Sequence, residues 1–322
     1  MGALRDLSVS QQVGLLFVAL FGVLALVTFV AFTRTLRDQP PEQQERQERF
    51  TRDLRAVWVG AVMFWLAWAS GAFVSTLLFG VLSFLALREF VTLTHTRRGD
   101  HRSLLLAFFI VLPLQYVLVG WQLFDLFTVF IPVYVFLAIP VVSALGNDPK
   151  RFLERTAKIQ WGIMVCVYGM SHAPAQLLLD PPNYEDRGAF RVLYLVGVVA
   201  IAQIAQEAAS RRMRRRPAAR AISRSFSWRA WLIGALSAAV LGALLYWATP
   251  FKPVPALVMG FLAGGSGTLG EFVMKALKRD AGVQSWGGKG SVTGAVGLLD
   301  RVAPLCFAAP VFFHAVRWYF GW

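Results

Sequence analysis

Six charged residues stand out in a chain otherwise built of apolar runs. Glu271, Lys275 and Lys278 are four and three residues apart, so on a helix they share one face. Asp300 and Arg301 open the next apolar run, beyond a glycine-rich polar loop, and Arg279 directly follows Lys278. A charge inside an apolar span costs about 2.5–3.5 kcal/mol near the bilayer centre on insertion scales. A chain that keeps such charges either pairs them or uses them. The pairing reading is an internal Glu271–Lys275 pair with Lys278 reaching the head groups. The functional reading treats the set as a site, the default for ionisable residues in such positions.

The elements that must position these residues follow from composition. The chain has 322 residues, of which 57% are hydrophobic and 16% charged, and its mean hydropathy is +0.55. A soluble domain carries about 25% charged residues. Residues 13–32, VGLLFVALFGVLALVTFVAF, form a run long enough to cross a bilayer, which takes about 20 apolar residues. The runs are continuous rather than alternating, which implies an all-α, polytopic integral membrane protein and excludes a barrel. The first run is too long for a signal-peptide core and ends without a small-residue cleavage pattern. The net charge of +14 is accounted for by basic loops facing anionic head groups, so no nucleic acid is expected. Cys166 and Cys306 lie in apolar runs without metal-ligand spacing, which argues against a structural zinc site.

About ten transmembrane helices are expected, over 13–32, 56–70, 72–87, 104–119, 124–145, 159–179, 189–208, 231–248, 255–277 and 302–320. Pro40–Pro41 breaks the polar connection at 33–55, and the Glu-, Gln- and Arg-rich part after it suits a short surface helix. Pro113, Pro132 and Pro140 mark expected kinks. Arg88 and Glu89 read as an interfacial pair. In Ser171-His172-Ala173-Pro174 the proline frees a carbonyl one turn earlier, which Ser171 or His172 can re-satisfy; a catalytic role for His172 is the other reading. The basic connections alternate, with those after the odd-numbered spans rich in Lys and Arg and the opposite ones holding Arg187, Lys252 and nearby Arg191. The basic loops are therefore expected in the cytoplasm, with both termini outside. Gly265–Gly270 matches G-x-G-x-x-G literally but lacks the preceding strand and the downstream acid of a dinucleotide fold. With Gly260-x-x-x-Gly264 it reads as small-residue helix packing.

Four segments carry a resemblance. Gly270-Glu271-Phe272-Val273-Met274, Lys278-Arg279-Asp280-Ala281-Gly282-Val283, Leu299-Asp300-Arg301-Val302 and Phe307-Ala308-Ala309-Pro310-Val311-Phe312-Phe313 resemble the C-terminal signature of the phosphatidate cytidylyltransferase (CDP-diacylglycerol synthase) family. Ser223-Arg224-Ser225-Phe226-Ser227-Trp228 is similar to that family's S-P-x-K-T-W segment, with Phe226 in place of its lysine. Gln203 and Gln206 stand where the family usually has an Asp and a Gln. Glu271 replaces an Asp, Gln284-Ser285 a Lys-Asp pair, and Ala303 a second Asp; the histidine loop becomes Ser291-Val292-Thr293-Gly294-Ala295-Val296-Gly297.

The resemblance implies two parts, an N-terminal span with its polar cytoplasmic connection (1–55) and a cytidylyltransferase-like membrane domain (56–322). It implies an enzyme of phospholipid biosynthesis that joins CTP to phosphatidic acid. On that reading Lys278, Arg279, Asp300 and Arg301 are catalytic, Ser223, Ser227 and Lys275 bind substrate, and Glu271 and Asp300 bind Mg²⁺. Such transfer depends on charge neutralisation and positioning, which carboxylate-held Mg²⁺ and basic side chains supply. The partners implied are CTP, phosphatidic acid, membrane lipids and at most a second copy of the chain, at the cytoplasmic face of the inner cell membrane. The alternative is a non-catalytic relative that keeps the fold and binds lipid or a partner enzyme.

Overall fold

The computed structural model describes residues 8–35, 40–94, 96–181, 184–213, 217–223, 226–283 and 297–321. These residues form ten helices and no strand: α1 (Val9–Thr35), α2 (Pro41–Ala69), α3 (Gly71–Leu93), α4 (Arg98–Gly120), α5 (Phe124–Ala144), α6 (152–178), α7 (Gly188–Met213), α8 (Trp228–Leu244), α9 (Pro253–Asp280) and α10 (Leu298–Phe320). Seven of them, α1, α3, α4, α5, α7, α9 and α10, are long and apolar enough to cross a membrane; Val57–Ala69 within α2 and Trp228–Leu244 are shorter apolar helices. The protein is thus an all-helical, polytopic membrane protein.

Two compact units divide the chain, one up to Leu78 and one from Phe79 onward. In the first, Phe17 meets Phe64 at 5.1 Å and Trp68 at 5.3 Å, and Phe21 stacks on Trp58 at 5.7 Å. Trp58 donates its indole N–H to Thr28 Oγ1 at 2.9 Å. Instead of a short surface helix, the stretch after Pro40 is the start of the 29-residue α2. Pro41 sits where a proline's missing N–H does no harm, and no breaker follows before Ala69.

The second unit packs two joined cores. One gathers Leu87, Phe90, Tyr116, Ile163 and Cys306; the other Phe127, Tyr194, Phe312 and Phe313. The helical ladder widens to π-type turns at Ala107–Val111, Phe130–Val135 and Met164–Gly169. The first two lie beside or around a proline, Pro113 and Pro132, whose missing N–H breaks the i→i−4 register. The Gly260-x-x-x-Gly264 reading is explained by close approach of α8. A Cβ at Gly260 would lie 2.6 Å from the Ala238 carbonyl oxygen, and one at Gly264 would collide with the Ala238 side chain.

Arg155 ties two loops together. Its Nε donates to Asp100 Oδ1 at 2.8 Å and its NH1 to Asp148 Oδ2 at 2.7 Å, while Asp100 also accepts from the Arg97 amide. The backbone N–H of Lys150, then Arg155 and Arg97, hold the Asp148 carboxyl below its ordinary value of 3.8. A depressed carboxylate stabilises the fold above its unfolded pKa, and that contribution is lost as pH falls through the folded one. Below a pH of about 4, backbone exchange at 97–100 and 146–151 is expected to accelerate before the helices do. Asp148→Asn should remove that acid-sensitive step, as read by hydrogen exchange.

Candidate functional site

Four of these charges, Glu271, Lys275, Lys278 and Asp300, form two ion pairs where α9 runs to its end and α10 begins. α9 reaches this point against α10 because Gly270 lacks a side chain: a Cβ there would collide with the Phe307 ring. One residue on, Glu271 projects from α9. Its Oε1 pairs with Lys275 Nζ at 2.7 Å, one turn along the same face. Its Oε2 accepts from Gln203 Nε2 of α7 at 3.0 Å. Glu271 is therefore held between two helices.

Lys278, nearly one turn beyond Lys275, forms an ion pair with Asp300 Oδ1 in the first turn of α10. It also attracts Glu271 electrostatically. Lys278 thus stands within the field of both carboxylates, at the point where the sequence reading places the site. Arg279 and Arg301 are exposed at the same end.

The start of α10 is fixed by a residue that sequence reasoning assigned elsewhere. Glu89, near the end of α3, is only 4% exposed. Its Oε1 accepts from the Gly297 amide at 2.7 Å and its Oε2 from the Leu299 amide at 3.2 Å. A carboxylate here caps free amides of a helix start and faces the positive end of its dipole. Glu89, read from the sequence as an interfacial pair with Arg88, is instead buried and sets the backbone that carries Asp300. Its partners lie more than 200 positions later, so no local pattern announces them; the one sequence signal is an acid at the end of an apolar helix.

The segment before α8 lies against α9. Phe226 is buried and stacks on Phe272 with ring centroids 4.1 Å apart. That contact sets Phe226 against the residue that follows Glu271 on α9. Ser227 is the N-cap of α8 and accepts from the Ala230 amide at 3.3 Å. Ser223 is buried. The substitutions read at 284–296, and Arg214 to Arg216 of the basic run, lie outside the described residues.

A resident metal must be judged from the donors present. Among the described residues no three of His, Cys, Asp and Glu form a metal-sized cluster. Ala303 is buried and offers no oxygen. Glu271 and Asp300 remain, each paired with a lysine. Two carboxylates do not make a protein cage; a Mg²⁺ with so few protein ligands keeps several waters and takes further ligands from substrate phosphates. The lysines on the same face are then available to those phosphates.

Residues 50–319 match the model of the cytidylyltransferase family. A relative from Escherichia coli (strain K12), with the name "Uncharacterized protein YnbB", is 33% identical over 305 residues, covering 93% of this chain and 96% of that protein. The matched region contains α3 to α9, nearly all of α10 and every residue of the site, and the chain belongs to the cytidylyltransferase family.

Proposed function

We propose that this chain is a membrane-embedded nucleotidyltransferase of phospholipid biosynthesis that condenses CTP with phosphatidic acid to CDP-diacylglycerol and pyrophosphate. A phosphate oxygen of phosphatidic acid attacks the α-phosphorus of CTP. The bond from that phosphorus to the oxygen bridging to the β-phosphorus breaks, and pyrophosphate leaves with its electron pair. The observation that carries the reading is the two ion pairs at one helix end, Glu271–Lys275 along α9 and Lys278–Asp300 between α9 and α10. That set joins two anionic ligands to two cations, as transfer between highly charged phosphates requires. Glu271 and Asp300 would hold Mg²⁺, which when bound neutralises phosphate charge. Lys275 and Lys278 would move from the carboxylates to the phosphates, with Arg279 and Arg301 holding the remaining charge. Ser223 and Ser227 would border the nucleotide, and Gln203 and Glu89 would keep the two carboxylates in place.

One observation favours a second reading, a non-catalytic relative: the buried Ala303 supplies no further carboxylate. CTP binding to the purified chain, with and without Mg²⁺, separates the two. Mg²⁺-dependent binding that is lost with chelator is expected of the enzyme. Absent or metal-independent binding would leave the non-catalytic relative.

The alternating basic loops support a site at the cytoplasmic face of the inner cell membrane. A single cysteine at Ser210, near the end of α7, in a chain lacking Cys166 and Cys306, is then expected to resist an impermeant thiol reagent in intact cells and to react after permeabilisation. Labelling in intact cells would overturn this orientation.

A further inference from the structure

A second group of buried polar side chains runs along α6 and the parts of α4 and α7 beside it, with the His172 ring packed against Phe127 of α5 and Phe313 of α10. Gln115, Ser171, His172, Gln176 and Arg191 are all 0% exposed. They are linked: Gln115 Nε2 donates to Ser171 Oγ at 3.2 Å, and Ser171 Oγ donates to the Tyr168 carbonyl at 2.9 Å. His172 Nδ1 meets that same carbonyl at 2.6 Å. The freed carbonyl expected one turn before Pro174 is that of Met170, so neither side chain is spent on it. Arg191 NH2 donates to the carbonyls of Gln176 and Leu179 at the C-terminal end of α6. There a cation complements the helix dipole. Arg191, counted in the sequence among the charges of an outer connection, is thus wholly internal.

Six side-chain atoms of this group have no hydrogen-bond partner among the described residues: Gln115 Oε1, His172 Nε2, Gln176 Nε2 and Oε1, and Arg191 Nε and NH1. Their chemistry is mixed. Arg191 Nε, Arg191 NH1 and Gln176 Nε2 are donors. The two glutamine oxygens are acceptors. His172 gives its Nδ1 proton to a carbonyl, which leaves Nε2 of the neutral ring as an acceptor. An anion would serve only the donors and a cation only the acceptors. Water serves both, and a buried water typically makes about three hydrogen bonds to such groups.

We propose that the polar seam of Gln115, His172, Gln176 and Arg191 along α6 holds internal water, so that it is hydrated although none of these side chains reaches the surface. The waters complete the solvation of the Arg191 guanidinium and let α6 carry a proline in its last turns without leaving polar groups unsatisfied.

The test uses the full chain in lipid nanodiscs and water as its own probe. Water-edited solid-state NMR is expected to polarise the His172 ring, assigned by its loss in His172→Phe, at a rate like that of the exposed His101 and unlike that of the buried Phe312 ring. A His172 ring as slow as Phe312 would overturn the proposal. Thermal stability gives an independent sign. In a dry seam, Gln176→Leu removes two unsatisfied atoms and raises the unfolding midpoint. In a hydrated seam it takes two partners from ordered water and lowers the midpoint by several degrees. A raised midpoint would also overturn the proposal, and if that variant fails to fold, the wild-type spectrum decides.

Discussion

Glu271→Gln is expected to abolish Mg²⁺-dependent CTP binding while the protein still folds. The carboxylate pairs with Lys275 and accepts from Gln203. The amide keeps the shape and one acceptor oxygen but loses the charge that a divalent ion requires. Asp300→Asn is expected to do the same, because both carboxylates would serve one ion. The fall in affinity should be at least tenfold for either variant, since a tenfold change needs only about 1.4 kcal/mol and a charged ligand to a cation contributes more than a neutral hydrogen bond. A purely structural Glu271–Lys275 pair makes a different forecast. Replacing both members by apolar residues would then leave folding and nucleotide binding intact, as buried pairs often allow. Equal CTP affinity in wild type and both single variants, measured by titration calorimetry with Mg²⁺ present, would remove Glu271 and Asp300 from the site.

Glu89→Ala is expected to have the largest effect of any substitution outside the charged cluster. The side chain is almost fully buried and accepts from two backbone amides at the start of α10. Hydrogen bonds to a charged group are worth about 1.5–3 kcal/mol each, and leaving a buried donor unmet costs a similar amount. The loss should total about 3 kcal/mol. Hydrogen exchange is the direct readout: the Leu299 amide should lose most of its protection, while amides in the middle of α9 keep theirs. Glu89→Gln, which can still accept, should restore part of it. If Glu89 also positions Asp300, the alanine variant weakens nucleotide binding and glutamine recovers part of that as well. Unchanged protection of Leu299 in Glu89→Ala would show that α10 is fixed by other contacts.

The helices were legible because each apolar run is bounded by proline, glycine or charge. The same signals fixed the turn at Gly71 and the ends of α9 and α10. α2 was misjudged over its first half because a charged stretch after two prolines resembles a loop, although glutamate, glutamine and arginine are good helix formers. At the site, the Glu271–Lys275 pair follows from spacing along one helix. The Lys278–Asp300 pair does not, since a chain reversal separates its members, and here the family resemblance supplied the association. Glu89 and Arg191 were not legible in their structural roles. Both make contacts set by tertiary packing: Glu89 with backbone more than 200 residues away, and Arg191 with the end of the preceding helix. A charge counted along the chain carries no information on which of these it does.

The most direct measurement is turnover by the purified full chain in nanodiscs supplied with CTP, phosphatidic acid and Mg²⁺. Expected is a cytidine-labelled lipid product formed in step with pyrophosphate, absent without phosphatidic acid and abolished by chelator. Neither product in the presence of all three, from protein shown to be folded, would contradict the enzyme and leave a member of the family that keeps the fold without the reaction.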